Sequence, residues 1–385
     1  MNSDSSLLGD WIRFRNGKTS PQRFKSGRLP VFGSNGVIGF SDQQNVDGQA
    51  IVIGRVGSHC GSTYYSPTSS WVTDNAIIAR AEKEDETRFW YYVLSFLELN
   101  HLSQGSGQPL LNQSILKSVP FVAPDRRERL TIASTLGALD DKIESNERIL
   151  DQLEELGGAL LEAELRLDVY GFPSYEADRR LGSMLSVLET GSRPRGGVVA
   201  TETGVVSLGA ESIQSAGIIS TKQFKRVSNE FASSMRRGRL EDGDVLVYKD
   251  GGRPGNFIPH ISAFGQGFPE TETTINEHVY RVRAANNISQ GLLYWILCSQ
   301  WMDVEMRKRG TGVAIPGLNS SNFRDLPWPS ISQESISRLN ESLDPALTVM
   351  LRLGAENRRL ASLRDTLLPE LLSLRIRVPI EGATA

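Results

Sequence analysis

Internal repetition is the feature that most constrains how this chain of 385 residues folds. Two apolar stretches, residues 51–53 and 245–247, each lead into glycine-bearing turns, and Asn75 and Asn276 each precede a further apolar stretch. Each half also contains an aromatic helix, a glycine-rich loop and a short proline-bearing strand: 89–94 and 293–297, 105–112 and 310–319, and 119–121 and 326–328. This duplicated order predicts two similar domains of mixed α and β structure.

A long helix with an apolar seam is predicted after each half. Apolar residues recur every three or four positions from Ile132 to Leu167 and again from Ile336 to Leu374. This spacing is the heptad signature of a coiled coil. A helix of roughly 40 residues spans about 60 Å. Because a single helix would leave its apolar stripe in water, we expect the two helices to pack as an antiparallel coiled coil.

The starts and the interruptions of these helices are also predicted. The first helix is expected to begin near Asp125, with Glu128 completing a capping box. The second is expected to begin near Ser330, with Gln333 in the same role. Pro345 is expected to kink or to start the second helix, and the first helix has no equivalent proline.

Two asparagines, Asn146 and Asn357, occupy equivalent places in the two seams. A polar residue within an apolar seam fixes the register of two helices at some cost in stability. The alternative is that both side chains only lie at the edge of the seam. The pair is therefore a candidate register site rather than a binding site.

The expected fold class is α+β, with two similar α/β domains separated by a pair of long helices in a pseudo-twofold tandem repeat. The expected boundaries are 1–124 and 169–329 for the two domains, 125–168 for the central helix, and 330–378 for the second helix and tail. The formal net charge is −3, but residues 125–168 carry 6 basic and 12 acidic residues. The domains are mildly basic, so the whole-chain average does not exclude a nucleic-acid partner.

Basic residues cluster beside glycine-rich turns in both domains. The clusters are residues 13–28 around Gly17, Arg193 and Arg195, residues 236–239, and residues 307–309. Glycine lets backbone amides approach a phosphate, and adjacent Arg or Lys side chains neutralise its charge. The alternative for any single residue is a solvated surface charge.

Motifs for catalysis are incomplete. The segment at Gly17 lacks the earlier glycine of a P-loop, and the glycines at 33–39 have the wrong spacing for a dinucleotide site. Ser114 and Lys117 match a Ser-x-x-Lys pattern without a partner motif, and Asp125 and Asp140 lie too far apart on one helix to share a metal. The histidines lack metal-ligand spacing: His59, His101, His260 and His278. We expect no catalytic or metal-binding residues.

The remaining composition indicates the compartment. Cys60 and Cys298 are too few for a disulfide framework, which fits a reducing environment. No secretory signal and no run of 18 apolar residues are found. The expected location is the cytoplasm, without a membrane anchor.

With these features the chain resembles the specificity subunit of type I restriction-modification systems. Residues 123–156 (APDRRERLTIASTLGALDDKIESNERILDQLEEL) are similar to that family's central spacer, and residues 363–379 (LRDTLLPELLSLRIRVP) to its closing helix and tail. The segments LGDWIRFRNGKTSP, LGSMLSVLETGSRP and GSGQPLLNQSILKSVPF look like its target recognition domains. Leu374 replaces a common glycine, and Pro345 interrupts the second helix.

The resemblance implies a non-catalytic, sequence-specific subunit that binds double-stranded DNA. Each domain would read one half of a bipartite target, and the helix pair would fix the gap between the halves. The pair would also dock two modification (adenine methyltransferase) subunits and, through them, the restriction-translocation subunits. S-adenosylmethionine, ATP and Mg would be bound by those partners, with no cofactor in this chain.

The DNA-contacting residues expected from the loops and the resemblance fall into two groups. Those expected to contact phosphates or guanine edges are Lys18, Arg23, Arg55, Arg193, Arg195, Lys249, Arg253, Arg307, Lys308 and Arg309. Weaker candidates are His59, Ser106, Gln108 and Thr311. Two other functions stay open from the sequence: a coiled-coil scaffold whose globular ends bind other proteins, and an enzyme with an unrecognised site.

Overall fold

The computed structural model describes residues 6–105, 109–195, 203–218, 224–253, 256–265, 268, 272–285, 287–310, 312 and 316–378. It divides into unit 1 (Met1–Asp141 and Leu360–Ala385) and unit 2 (Lys142–Arg359), and the division falls within both long helices. The α-helices are α1 (Thr87–Phe96), α2 (Gln113–Lys117), α3 (Arg126–Glu164), α4 (Asn229–Ser234), α5 (Gln290–Cys298), α6 (Gln300–Arg309), α7 (Ser320–Arg324) and α8 (Gln333–Leu372).

Unit 1 is built on a four-stranded antiparallel sheet. The strands of unit 1 are β1 (Ser6–Leu7), β2 (Ile12–Asn16), β3 (Leu29–Gly33), β4 (Gly36–Ser41), β5 (Ala50–Gly54), β6 (Thr63–Ser66), β7 (Trp71–Val72), β8 (Ala76–Ala81) and β9 (Pro120–Phe121). The main sheet has the order β2-β8-β5-β6, and a smaller sheet has the order β4-β3-β7, in which β3 and β7 are parallel. Strand β1 pairs with β9. Every residue of β5 is buried, as expected of a central strand.

Unit 2 repeats this topology. Its strands are β10 (Tyr175–Arg180), β11 (Leu185–Thr190), β12 (Val205–Leu208), β13 (Arg226–Val227), β14 (Val245–Tyr248), β15 (Gly252–Arg253), β16 (Asn256–Phe257), β17 (His260–Ala263), β18 (Thr273–Ile275), β19 (Val279–Ala284) and β20 (Pro327–Pro329). The main sheet has the order β11-β19-β14-β17, the smaller sheet β13-β12-β18, and β10 pairs with β20. The predicted duplication of two α/β domains is therefore confirmed.

One detail of the predicted alignment is wrong. Ala76 of unit 1 pairs with Gly54, the last residue of β5, and Val279 of unit 2 pairs with Tyr248, the last residue of β14. Asn75 therefore corresponds to His278 and not to Asn276. The turns before β8 and β19 have the same length, residues 73–75 and 276–278. The two asparagines match in residue type but occupy different positions of the turn.

The aromatic helix packs against α3 in each unit. In unit 1, Tyr92 of α1 donates a hydrogen bond to Asp140 at 2.5 Å. In unit 2, Tyr294 of α5 donates to Glu154 at 2.9 Å, and the adjacent Trp295 is 2% exposed. These contacts fix the sheet-bearing part of each unit to its segment of α3.

The two long helices pair in an antiparallel sense within each unit. In unit 1, Asp140 of α3 contacts Arg364 of α8 at 2.7 Å. In unit 2, Glu164, at the end of α3, contacts Arg338, near the start of α8, at 2.8 Å. Because later residues of α3 meet earlier residues of α8, the predicted antiparallel packing is confirmed.

The predicted helix starts are half right. Asp125 accepts a hydrogen bond from the Glu128 N–H at 2.8 Å, so the first cap is confirmed. Helix α8 begins at Gln333, where Ser332 accepts from the Ser335 N–H at 3.1 Å. The predicted cap at Ser330 is therefore wrong, because the Ser330 N–H donates to the Ser174 carbonyl at 2.7 Å instead.

Pro345 lies within α8 and does not start it. At this point Gly291 of α5 approaches the backbone of α8 so closely that a Cβ on it would lie 2.5 Å from the Leu343 carbonyl oxygen. None of the helices in the described part of the chain has the length and apolarity needed to cross a bilayer.

Candidate nucleic-acid interface

The end of β5 organises one edge of the first head, defined here as residues 6–121. Arg55 follows β5, its N–H donates to the Asn75 carbonyl at 2.9 Å, and its own carbonyl accepts from the Leu111 N–H at 2.9 Å. The Arg55 Nη1 donates to the Asp74 carbonyl at 3.3 Å. Arg55 thus joins the turn before β8 to the loop that precedes α2.

Other predicted residues lie at the same edge. A Cβ on Gly54 would lie 2.1 Å from the His59 carbonyl oxygen and 2.7 Å from that of Ser34, so both backbones pack on this glycine. His59 itself is exposed. The Lys18 N–H donates to the Val72 carbonyl at 3.0 Å, which leaves the exposed Lys18 side chain beside the same turn.

The structure thus brings Lys18, Arg55 and His59 to one edge. Arg23 is exposed elsewhere, at β4, where its Nη1 donates to the Ile38 carbonyl at 3.4 Å. The predicted residues Ser106 and Gln108 lie outside the described residues.

The second head, residues 175–329, uses the same backbone connection. Lys249 follows β14, its N–H donates to the His278 carbonyl at 3.0 Å, and its carbonyl accepts from the Leu318 N–H at 2.7 Å. However, its ammonium contacts Asp250 at 2.6 Å, and the side chain is only 17% exposed. It also lies over the Tyr280 ring at 5.5 Å. The Lys249 ammonium is therefore bound by residues of its own head, Asp250 and Tyr280.

Acidic side chains lie among the cations at this edge. Asp250 also contacts the His278 Nδ1 at 3.1 Å, and Glu277 contacts the Arg193 Nε at 2.6 Å. Arg193 is half-exposed at 52%. These carboxylates offset part of the positive charge that the sequence places here.

Two loops of the second head cross at glycines. Gly238 has a φ of +78°, its N–H donates to Glu189 at 2.9 Å, and a Cβ on it would lie 2.5 Å from the Gly191 Cα. Only glycine permits this approach of two backbones. The crossing brings residues 191–195 beside residues 236–238.

The crossed loops carry exposed cations. Arg195, Arg236 and Arg237 are exposed, and in the described part of the chain none of them has an ion-pair partner. Arg236 and Arg237 stand in a cluster visible in the sequence, but only the crossing shows that their loop meets the loop that carries Arg193 and Arg195. Arg253 is also exposed, on the β15–β16 hairpin.

The cations at the end of α6 are paired with acids of the same helix. Arg307 contacts Asp303 at 2.6 Å, Lys308 contacts Glu305 at 2.9 Å, and Arg309 also binds Glu305. Burial opposes ionisation of Glu305, but the hydrogen bonds from Lys308 and Arg309 hold its pKa below its usual value. The predicted Thr311 lies outside the described residues.

The predicted register residues meet in the helix pair of unit 2. The Asn146 Nδ2 donates to the Asn357 Oδ1 at 2.8 Å and to the Glu356 Oε2 at 2.8 Å. Asn146 is fully buried. Glu356 also contacts the Lys142 ammonium at 3.6 Å. The amides therefore contact each other across the seam and do not merely lie at its edge.

Among the described residues, no group of three or more His, Cys, Asp or Glu side chains is arranged to hold a metal ion. What the two edges share is exposed positive charge on loops held by backbone hydrogen bonds. This chemistry suits a phosphate-bearing polymer.

Comparison with known proteins shows which proteins the chain resembles. Residues 3–155 match the family model described as the type I restriction modification DNA specificity domain. The type I restriction enzyme EcoprrI specificity subunit of Escherichia coli is 26% identical over 111 residues, which are 29% of this chain and 28% of the relative's length. The structure is similar to that of the type I restriction-modification system S subunit from M. genitalium, with a TM-score of 0.57, 17% identity and 95% of both chains covered.

Residues 3–155 therefore resemble a type I DNA specificity domain. Over this segment the chain is also similar to a type I restriction-modification specificity subunit. The solved structure supports the fold over nearly the whole chain.

Proposed function

We propose that this chain is the non-catalytic subunit that gives a type I restriction-modification complex its DNA sequence specificity. The first head reads one half of a bipartite target, and the second head reads the other half. The helix pair sets the gap between them and docks two modification subunits and, through them, the restriction-translocation subunits. S-adenosylmethionine, ATP and Mg are bound by those partners, and the complex acts in the cytoplasm.

The observation that carries this proposal is the repeated edge. In each head a cationic residue, Arg55 or Lys249, follows the central strand and accepts the N–H of a leucine from the loop before a short capped helix. Exposed cations surround both edges, although more of them are paired with acids in the second head. Two related edges of different composition suit two different half-sites.

The first test is a footprint of the complex assembled with its modification subunits. The complex is allowed to select duplexes from a random-sequence pool, and the selected DNA is then probed by hydroxyl-radical cleavage. We expect two protected segments separated by an unprotected gap. A single continuous footprint would contradict the two-head model, and no protection at all would favour a scaffold that binds only proteins.

The second test compares cation pairs within the second head. The variants Arg236→Gln/Arg237→Gln and Arg307→Gln/Arg309→Gln each remove two positive charges, but only the second pair has carboxylate partners. At about 0.9 per phosphate contact, loss of two contacts lowers the slope of log K against log salt by about 1.8. Between 50 and 200 mM salt, the parent complex then loses about 12-fold more affinity than the variant.

We expect this change for Arg236→Gln/Arg237→Gln and little change for Arg307→Gln/Arg309→Gln. The measurement is fluorescence anisotropy on a labelled duplex at four salt concentrations. A larger change in slope for the α6 variant would place the phosphate contacts at the end of α6 instead of at the crossed loops.

A further inference from the structure

The first head exposes three large apolar side chains on and beside strand β4, in its most basic region. Phe24, Val37 and Ile38 are 43%, 50% and 38% exposed. We call these three residues the hairpin patch, because two of them lie on β4 and the third lies beside it. Large apolar side chains that cluster on a surface mark a contact site more often than those that stand alone.

The backbone beneath the patch is well held. Strands β3 and β4 form a hairpin in which Gly33 pairs with Gly36 across a two-residue turn. A Cβ on Gly36 would lie 3.0 Å from the Tyr64 ring, so this ring packs directly on the hairpin. Phe24 and Phe40 exchange two backbone hydrogen bonds, of 2.8 and 3.0 Å. The exposed side chains therefore project from paired strands and not from an unpaired loop.

The charged residues of the segment that carries the patch are all basic, and the exposed Asp42 follows this segment directly. Residues 11–41 contain six basic residues and no acidic residue. Arg13 is paired with Glu82. The other five are exposed and have no ion pair with any described residue: Arg15, Lys18, Arg23, Lys25 and Arg28. An apolar centre within unpaired cations complements a surface that has anionic edges and an apolar middle. DNA has this pattern, with phosphates flanking the bases.

We propose that the hairpin patch contacts base edges in the major groove of the half-site read by the first head, while the neighbouring cations hold the phosphates. This inference rests on the proposed function. The major groove admits a two-stranded β-ribbon, and apolar side chains there pack against thymine methyl groups. Phe24, Val37 and Ile38 thus act as specificity-determining residues, and Arg23, whose Nη1 donates to the Ile38 carbonyl, acts as a positioning residue.

Among the described residues, the second head differs at the corresponding strand. Its equivalent edge strand, β13, consists of Arg226 and Val227, and Val227 is only 3% exposed. The two heads therefore differ at this strand in the chemistry that they offer to a base. Such a difference is expected if they read unlike half-sites.

The test uses the full chain in complex with its modification subunits, with two binding variants and two matched controls. Val37→Thr keeps the shape of the side chain and adds a hydroxyl, and Phe24→Ala removes the ring. Val122→Thr and Phe96→Ala are the controls, because Val122 and Phe96 are 53% and 44% exposed but lie outside the basic segment. All four sites are on the surface, and circular dichroism establishes that each variant is folded.

Binding is measured on a duplex selected from a random pool and on a scrambled duplex of the same composition. We expect Val37→Thr and Phe24→Ala each to reduce the ratio of the two affinities by about ten-fold, the size of one lost base contact. Their affinity for the scrambled duplex and their salt slope should match those of the parent. The controls should leave the ratio unchanged.

Three results would overturn the inference. They are an unchanged ratio, an equal loss of affinity on both duplexes, and a loss of assembly with the modification subunits, which would make the patch a protein-docking surface. Failure of the proposed function is separate, because the parent complex itself would then fail to distinguish the two duplexes.

Discussion

Gly157 and Gly158 are adjacent residues of α3 that should respond in opposite ways to the same substitution. A Cβ on Gly157 would lie 2.1 Å from Cε2 and 2.2 Å from Nε1 of Trp295, the buried aromatic residue of α5. A Cβ on Gly158 would meet nothing within 4 Å. Both glycines lie inside the helix, so the change in helix propensity is the same at the two sites.

The difference in free energy of unfolding follows from these distances. Replacing a helical glycine by alanine gains about 0.5–1 kcal/mol, and Gly158→Ala should show this gain. At Gly157 the new methyl group must displace a 2% exposed ring, and overpacking costs about 1–3 kcal/mol. The hydrogen bond from the Trp295 Nε1 to the Glu154 carbonyl, 3.2 Å long, would weaken as well, at about 0.5–1.5 kcal/mol. The helix-propensity gain is common to both variants, so they should differ by about 1.5–4.5 kcal/mol.

Urea unfolding of the full chain, followed by tryptophan fluorescence and by circular dichroism, measures this difference. Gly158→Ala should unfold at higher urea than the parent, and Gly157→Ala at lower urea. Equal shifts in the two variants would refute the close packing of α3 on α5.

Further predictions concern the polar contacts of the helices. Glu86 and Arg129 form a buried ion pair at 2.9 Å. Glu86→Gln leaves the buried Arg129 cation uncompensated, so it should lower the free energy of unfolding, measured in urea, by about 3–5 kcal/mol. A loss below 1 kcal/mol would contradict this. Asn146→Leu with Asn357→Leu should raise the thermal midpoint, because an apolar pair replaces amides in an apolar seam; a lower midpoint would show that the amides stabilise the pair. Burial raises the pKa of Glu154, because its effect is larger than that of the hydrogen bonds to this carboxylate, which lower the pKa. The folded state then binds this proton more tightly than the unfolded state, so stability falls as pH rises above about 4.3. Glu154→Gln should raise the thermal midpoint more at pH 8 than at pH 4, and an equal effect at both would refute the shift.

The fold was largely predictable because it depends on the spacing of apolar residues, which can be read from the sequence without side-chain coordinates. The duplicated apolar strands at 51–53 and 245–247 lie in β5 and β14, the central strands of the two main sheets. The heptad spacing predicted two long helices and their antiparallel packing. The errors were local. The start of α8 shifted by two residues because Ser332 and Ser330 are both good caps. Asn75 matches Asn276 in residue type, but the strand pairing aligns Asn75 with His278.

The interface was harder to predict because the sequence gives the positions of charges but not their partners. Crossed loops were not foreseeable from spacing, since Gly191 and Gly238 are far apart in the chain and meet only through the fold. The exposure of Phe24 and Val37 could not be predicted either, because an apolar residue on a strand is normally expected to face the core. The absence of acidic residues from 11 to 41 was the available signal.

The end of α6 illustrates which part of an interface can be read in advance. Asp303 and Arg307 are four residues apart, as are Glu305 and Arg309, and side chains at this spacing are neighbours on one face of a helix. A run of cations that follows acids at this spacing is already partly neutralised, so each residue has less charge to offer a phosphate. Arg236 and Arg237 precede a glycine with positive φ and follow no such acids. A search for DNA contacts from sequence should therefore discount helical cations that have an acid one turn earlier, and favour those on glycine-bearing loops.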